Sequence, residues 1–155
     1  MSLQWQHLRS GGNSGAFLWA IDVTGDACPV DCRTDEVQVL DHGYTEAYMK
    51  QTGKKPGLAP ITNGDVFPVG EAKMTPFPPR FTTGESQFSL EEPEQGDQPV
   101  EPLLRIRAIN GEVRLWVNGE EVSGGTGCNP ATGYLCLESE GSPVEFRKLR
   151  IRELP

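Results

Sequence analysis

Apolar and polar residues alternate with a period of two in several short stretches, which is the pattern of strands that bury one face. Residues 3–8 alternate around Trp5 and His7, and residues 15–21 are rich in aromatic and aliphatic side chains, with SGGNSG at 10–15 between them. Two strands joined by a glycine-rich loop account for that pattern. In residues 35–41, Val37 and Val39 fall on one face and Glu36, Gln38 and Leu40 on the other, with Asp41 closing the strand. Residues 44–55 have room for at most a short helix before Pro56. The stretch 57–98 is interrupted by Pro76, Pro78 and Pro79 among others, which predicts long loops with short strands near 65–69 and 87–90. Residues 91–101 are acidic and bounded by proline, as a surface loop would be.

The C-terminal third is more regular. Residues 103–109 and 112–118 flank Asn110-Gly111, the pair best suited to the positive φ angles of a type I′ turn. A two-residue turn sets the register: Ala108 opposite Val113, Ile106 opposite Leu115 and Leu104 opposite Val117, so one hairpin face is wholly apolar. The other face then sets Arg107 against Arg114, a repulsive pair unless an acid lies nearby, and Arg105 against Trp116, a cation–π partner. Further strands are expected at 133–139 and 143–153. In the last of these the apolar positions switch from even (Val144, Phe146) to odd (Leu149, Ile151), which predicts a β-bulge near Arg147-Lys148.

Composition agrees with short strands and many turns. The 18 Gly and 13 Pro make up a fifth of the 155 residues, which disfavours long helices. A single domain over 1–155 is expected. The formal charge of −8 has the wrong sign for neutralising a phosphate backbone, so nucleic acid is not an expected partner. The longest apolar run, residues 16–21, is far shorter than the ~20 residues of a membrane-spanning helix, and membrane insertion is not expected either. Neither cysteine spacing, Cys28 with Cys32 or Cys128 with Cys136, is a zinc-type CxxC. Four thiols allow three disulfide pairings. Cys128 and Cys136 flank a turn containing Asn129, Pro130 and Gly133, and a Cys128–Cys136 disulfide is the pairing expected.

The strongest chemical grouping is Glu36, Gln38 and Asp41, because residues two apart on a strand share a face. Carboxylates held together can divide acid and base work, although a solvated sheet face is the plainer account of the same spacing. Lys73 is a candidate for neutralising a developing oxyanion. Trp19 and Trp116 suit stacking on sugar rings, although a tryptophan in a strand more often fills core. His42 follows Asp41 and reaches the same place only if the strand ends between them, whereas His7 shares the face of Trp5 and reads as structural. The 11–15 stretch GGNSG lacks the lysine of a phosphate-binding loop, so it reads as a turn.

Taken in order, GGNSGAF, EVQVLD, DVFPVGEAKMTP, EVRLWVNGEEVSG and GYLCLESEGSPVEFRKLRIREL resemble the 3-keto-disaccharide hydrolase domain family. That resemblance implies an all-β, antiparallel two-sheet jelly-roll sandwich of the concanavalin A-like type, found in proteins exported from the bacterial cytoplasm. It also implies a carbohydrate partner and cleavage of a 3-keto-glycoside, with Glu36 or Asp41 as base or acid and Lys73 as charge stabiliser. Asn13 and Gln38 would bind sugar hydroxyls, joined by His42, Trp19 and Trp116, with no cofactor and no metal. A noncatalytic, lectin-like carbohydrate-binding module is the alternative, and a purely structural interaction domain is a third. Family members usually begin with further strands, which implies an unpaired sheet edge here and a homodimer through it.

Overall fold

In a computed structural model of the chain, the described residues are 1–21, 33–41, 43–53, 64–77 and 103–153. They form ten strands and one helix: β1 (Ser2–His7), β2 (Asn13–Ala20), β3 (Thr34–Leu40), α1 (Tyr44–Thr52), β4 (Val66–Val69), β5 (Lys73–Pro76), β6 (Leu103–Ile109), β7 (Glu112–Val117), β8 (Glu120–Asn129), β9 (Tyr134–Glu140) and β10 (Val144–Arg150). The strands pair antiparallel in a six-stranded sheet, β10-β1-β6-β7-β8-β5, and a four-stranded sheet, β4-β3-β2-β9. This is the expected two-sheet sandwich. The strand expected near 87–90 lies outside the described residues, as do His42, Cys28 and Cys32.

The core lies between the sheets because the period-two pattern aims one face of each inward. Leu3 and Trp5 of β1, Leu104 and Ile106 of β6, and Val113, Leu115 and Val117 of β7 meet Ala16, Leu18, Val37 and Val39 of the smaller sheet. Leu3, Leu104 and Leu115 are fully buried, each contributing about 2–3 kcal/mol through burial. The 103–118 hairpin has the expected register throughout, from Leu104 opposite Val117 to Ile109 opposite Glu112. Asn110 and Gly111 take φ of 51° and 73°, as the turn requires. The expected bulge is also present: Lys148 has φ 52°, and three steps of β10 oppose two of β1 between Ser2 and Gln4. It does not bury the residues that follow, since Leu149 and Ile151 stay exposed along the sheet's edge strand.

The glycine-rich loop at 10–15 joins two strands as expected, and it carries the chain from one sheet to the other, because β1 and β2 belong to different sheets. Two features depart from the sequence reading. Strand β8 lacks apolar alternation because glycines occupy places where neighbours press close. A Cβ at Gly124 would lie 2.5 Å from the Val113 carbonyl oxygen, and one at Gly125 2.6 Å from the Met74 sulfur. The Cys128–Cys136 disulfide does not form, and both thiols are free. The turn between them also crosses between sheets, leaving Cys128 buried on β8 and Cys136 exposed on β9 of the other layer.

One core position was not anticipated. Asp35 points inward from β3 with no exposed surface, and among the described residues neither carboxylate oxygen has a hydrogen-bond partner of normal geometry. The polar group set against it is the weakly donating thiol of Cys128. Burial raises the Asp35 pKa, and burial together with the facing carboxyl pushes the Cys128 thiol up to about 12.

Candidate functional site on the four-stranded sheet

The face of the smaller sheet turned away from the core is assembled by register. Gly15 of β2 lies between Gln38 of β3 and Glu138 of β9, Phe17 between Glu36 and Cys136, and Asn13 between Leu40 and Glu140. On the other side of β3, Phe67 of β4 stands opposite Glu36. Directly paired residues share a face, so Glu36, Gln38, Asn13, Glu138 and Glu140 collect on one surface with Phe17 and Phe67 beside Glu36. Among the described residues, no Lys or Arg occupies a register position on this face.

Glu36 is the unusual member. Only 8% of its surface is exposed, and among the described residues no hydrogen bond or ion pair reaches it. Its carboxylate leans over the backbone of Gly15, where a Cβ would lie 2.7 Å from Oε1. Burial, then the charges of Glu138 and Glu140, push its pKa up to about 7. Glu138 is raised for the same reasons, burial first and Glu140 second. A carboxyl poised near neutrality, beside a second that also holds its proton more tightly than usual, can divide the roles of acid and base with it.

The neighbouring amides are already linked. Gln38 Nε2 donates to Asn13 Oδ1, and Asn13 Nδ2 donates to Glu140 Oε2 at 2.6 Å. This chain runs across three strands and fixes which way each amide faces. Among the described residues, no group of three His, Cys, Asp or Glu side chains has the spacing to hold a metal ion.

The other sequence candidates stand elsewhere. Asp41 accepts backbone N–H bonds from Gly11 at 2.6 Å and Gly43 at 2.9 Å. Although burial opposes ionisation, these bonds, with smaller help from Ser10 and His7, leave the Asp41 pKa lowered. It thus ties the glycine-rich loop to the start of α1, whose Ala47 touches the space a Cβ on Gly11 would need. Lys73 is exposed on β5 of the six-stranded sheet, opposite Asn129. Trp19, with φ 55°, sits at an irregularity between Phe17 and Ala20 and packs against the core. Trp116 lies on the outer face of the six-stranded sheet, with Arg105 5.1 Å from its ring centroid. His7 Nε2 donates to the Val39 carbonyl at 3.1 Å, joining the two sheets as a structural residue does.

Asp41→Ala leaves two part-buried N–H groups without their acceptor, so a loss of about 2 kcal/mol in stability at pH 7 is expected. Urea unfolding checks this, and an unchanged midpoint would show that the loop does not depend on Asp41.

Sequence reasoning placed Glu36, Gln38 and Asn13 but not their companions on β9, Glu138 and Glu140. Their period-two spacing is visible in LESE, yet only the pairing of β9 with β2 brings them to Glu36. Phe17 and Phe67 were missed for the same reason.

A family model described as a 3-keto-alpha-glucoside-1,2-lyase-like domain matches residues 1–152. No curated protein and no solved structure matches the chain.

Proposed function

The chain belongs to the 3-keto-alpha-glucoside-1,2-lyase-like domain family, and from that premise we propose that it cleaves glycosides whose sugar carries a ketone at carbon 3. The family supports a carbohydrate-related, glycosidase-like role. The single observation carrying the catalytic reading is Glu36, a buried carboxyl on a polar sheet face with no hydrogen-bond or ion-pair partner among the described residues. A merely solvated glutamate would neither be covered to this extent nor have its proton affinity brought close to neutral.

The chemistry follows from the ketone. It acidifies the hydrogen on C2, which Glu36 as carboxylate removes, and the electron pair forms an enolate. When the enolate collapses, the C1–oxygen bond breaks and the aglycone departs, protonated by Glu138 in its acid form. The remaining unsaturated keto-sugar adds water in a later step. Asn13 and Gln38 supply amide groups for the sugar hydroxyls, while Phe17 and Phe67 flank Glu36 with apolar rings suited to a sugar face. Asp41 and Lys73 have no part in this scheme: the first is occupied by backbone donors, and the second stands on the other sheet.

The test is turnover of a panel of 3-keto-glucosides in deuterium oxide. The scheme requires aglycone release and exchange at C2, but none from the parent unoxidised glucosides. Cleavage of unoxidised glucosides at comparable rates would overturn it, as would binding without turnover, the behaviour of a lectin-like module.

A further inference from the structure

The opposite side of the molecule has the reverse electrostatic character. On the outer face of the six-stranded sheet, register aligns Arg150 of β10, Ser2 of β1, Arg105 of β6, Trp116 of β7 and Glu121 of β8 in one row. The neighbouring row holds Arg107 opposite Arg114. Arg114 is neutralised, since it donates to Glu112 at 2.9 Å and Glu121 at 2.8 Å and lies over the Phe77 ring. Arg105, Arg107 and Arg150 are exposed, and none has an acidic partner among the described residues. In a chain of formal charge −8, three guanidinium groups on one sheet face with no acidic partner among the described residues are a segregated charge.

Their spacing suits an extended ligand. Arg105 and Arg107 are two residues apart on one strand, about 7 Å, and Arg105 and Arg150 are two strands apart, about 10 Å. Arg105 is backed by the Trp116 ring, which limits the freedom its guanidinium would lose on binding a carboxylate through both nitrogens. A densely charged polyphosphate would be repelled by the acidic remainder of the molecule, whereas a polymer with one carboxylate per unit meets less repulsion.

We propose that this outer face binds an acidic polysaccharide, a linear chain of uronate sugars, whose carboxylates engage Arg105, Arg107 and Arg150. The surface is separate from the one around Glu36, so its failure would leave the catalytic reading untouched. Together the two faces would let the domain hold a polymer with one while acting on a sugar with the other, raising the local concentration of substrate.

Gel retardation in native electrophoresis tests this with polygalacturonate, heparin, dextran and single-stranded DNA as separate probes. Polygalacturonate should retard the wild type most, and less as salt is added. Arg105→Ser combined with Arg107→Ser should weaken that retardation about tenfold or more. Arg105→Lys with Arg107→Lys should fall between, because the charge remains and the forked geometry is lost. Both double variants should melt within a few degrees of the wild type, which shows that they are folded. Equal retardation by dextran, stronger retardation by heparin or DNA, or wild-type behaviour of the serine variant would overturn the proposal.

Discussion

Glu36→Gln is expected to reduce turnover of a 3-keto-glucoside by about 10²-fold or more, the usual contribution of a positioned acid or base, while making the folded protein more stable above neutral pH. The two effects share a cause. Glu36 is covered by the sheet face and faces Glu138 and Glu140, so its charged form is disfavoured and its pKa stands at about 7. In the unfolded chain the same group titrates near its ordinary value of 4.5. Between those values the folded state binds the extra proton. Stability due to Glu36 is therefore fully present below about pH 4.5 and is lost as the pH rises through 7. The difference amounts to about 3 kcal/mol at pH 8, which glutamine, nearly isosteric and uncharged, should recover. For a chain of this size that corresponds to a Tm roughly 10 °C higher. At pH 4.5 the two proteins should melt within a few degrees of each other. Calorimetry at both pH values and a turnover assay check the paired outcome. Undiminished turnover would remove Glu36 from the chemistry, and equal melting at pH 8 would remove the buried charge.

Gly15→Ala tests the same carboxylate from below. The residue adopts no positive φ, so alanine meets no backbone strain and the sheet should keep its stability. Its Cβ, however, would lie 2.7 Å from Glu36 Oε1, 3.0 Å from Cγ and 3.2 Å from Cδ, so the whole carboxylate must move. A displacement of about an ångström at the reacting group can cost about 10²-fold in rate, and a loss of that order is expected. The loss should not add to that of Glu36→Gln, because both substitutions act on one group. Single and double variants assayed side by side decide this. A double variant slower than the wild type by the product of the two single losses would show that Gly15 acts independently of Glu36.

How far the sequence spoke depended on how local each feature was. The hairpin at 103–118 was legible to the residue because a two-residue turn fixes every pairing after it. The neutralising acids for Arg114 were foreseen in kind, and one of them, Glu112, lies on the same hairpin. The bulge at Lys148 was legible because the apolar parity changes there, but the exposure of Leu149 and Ile151 depends on the strand's place at the sheet edge, which no local pattern carries. Strand β8 was hidden by glycines that its neighbours require. The disulfide expectation took nearness in sequence for nearness in space, where the intervening turn changes layer. The site divides along the same line. Glu36 and Gln38 could be read from one strand, whereas Glu138, Glu140, Phe17 and Phe67 required the pairing of four strands.

Strand β3 carries acids on both faces at consecutive positions, Asp35 toward the core and Glu36 on the face turned away from it, and both hold their protons more tightly than free carboxyls do. Asp41, just past the strand, holds its proton less tightly. Asp35 and Glu36 therefore each contribute stability that is lost as the pH rises, whereas the contribution of Asp41 is lost as the pH falls. One strand and its end thus carry opposite pH sensitivities, two acids favouring the fold when protonated and a third favouring it when charged.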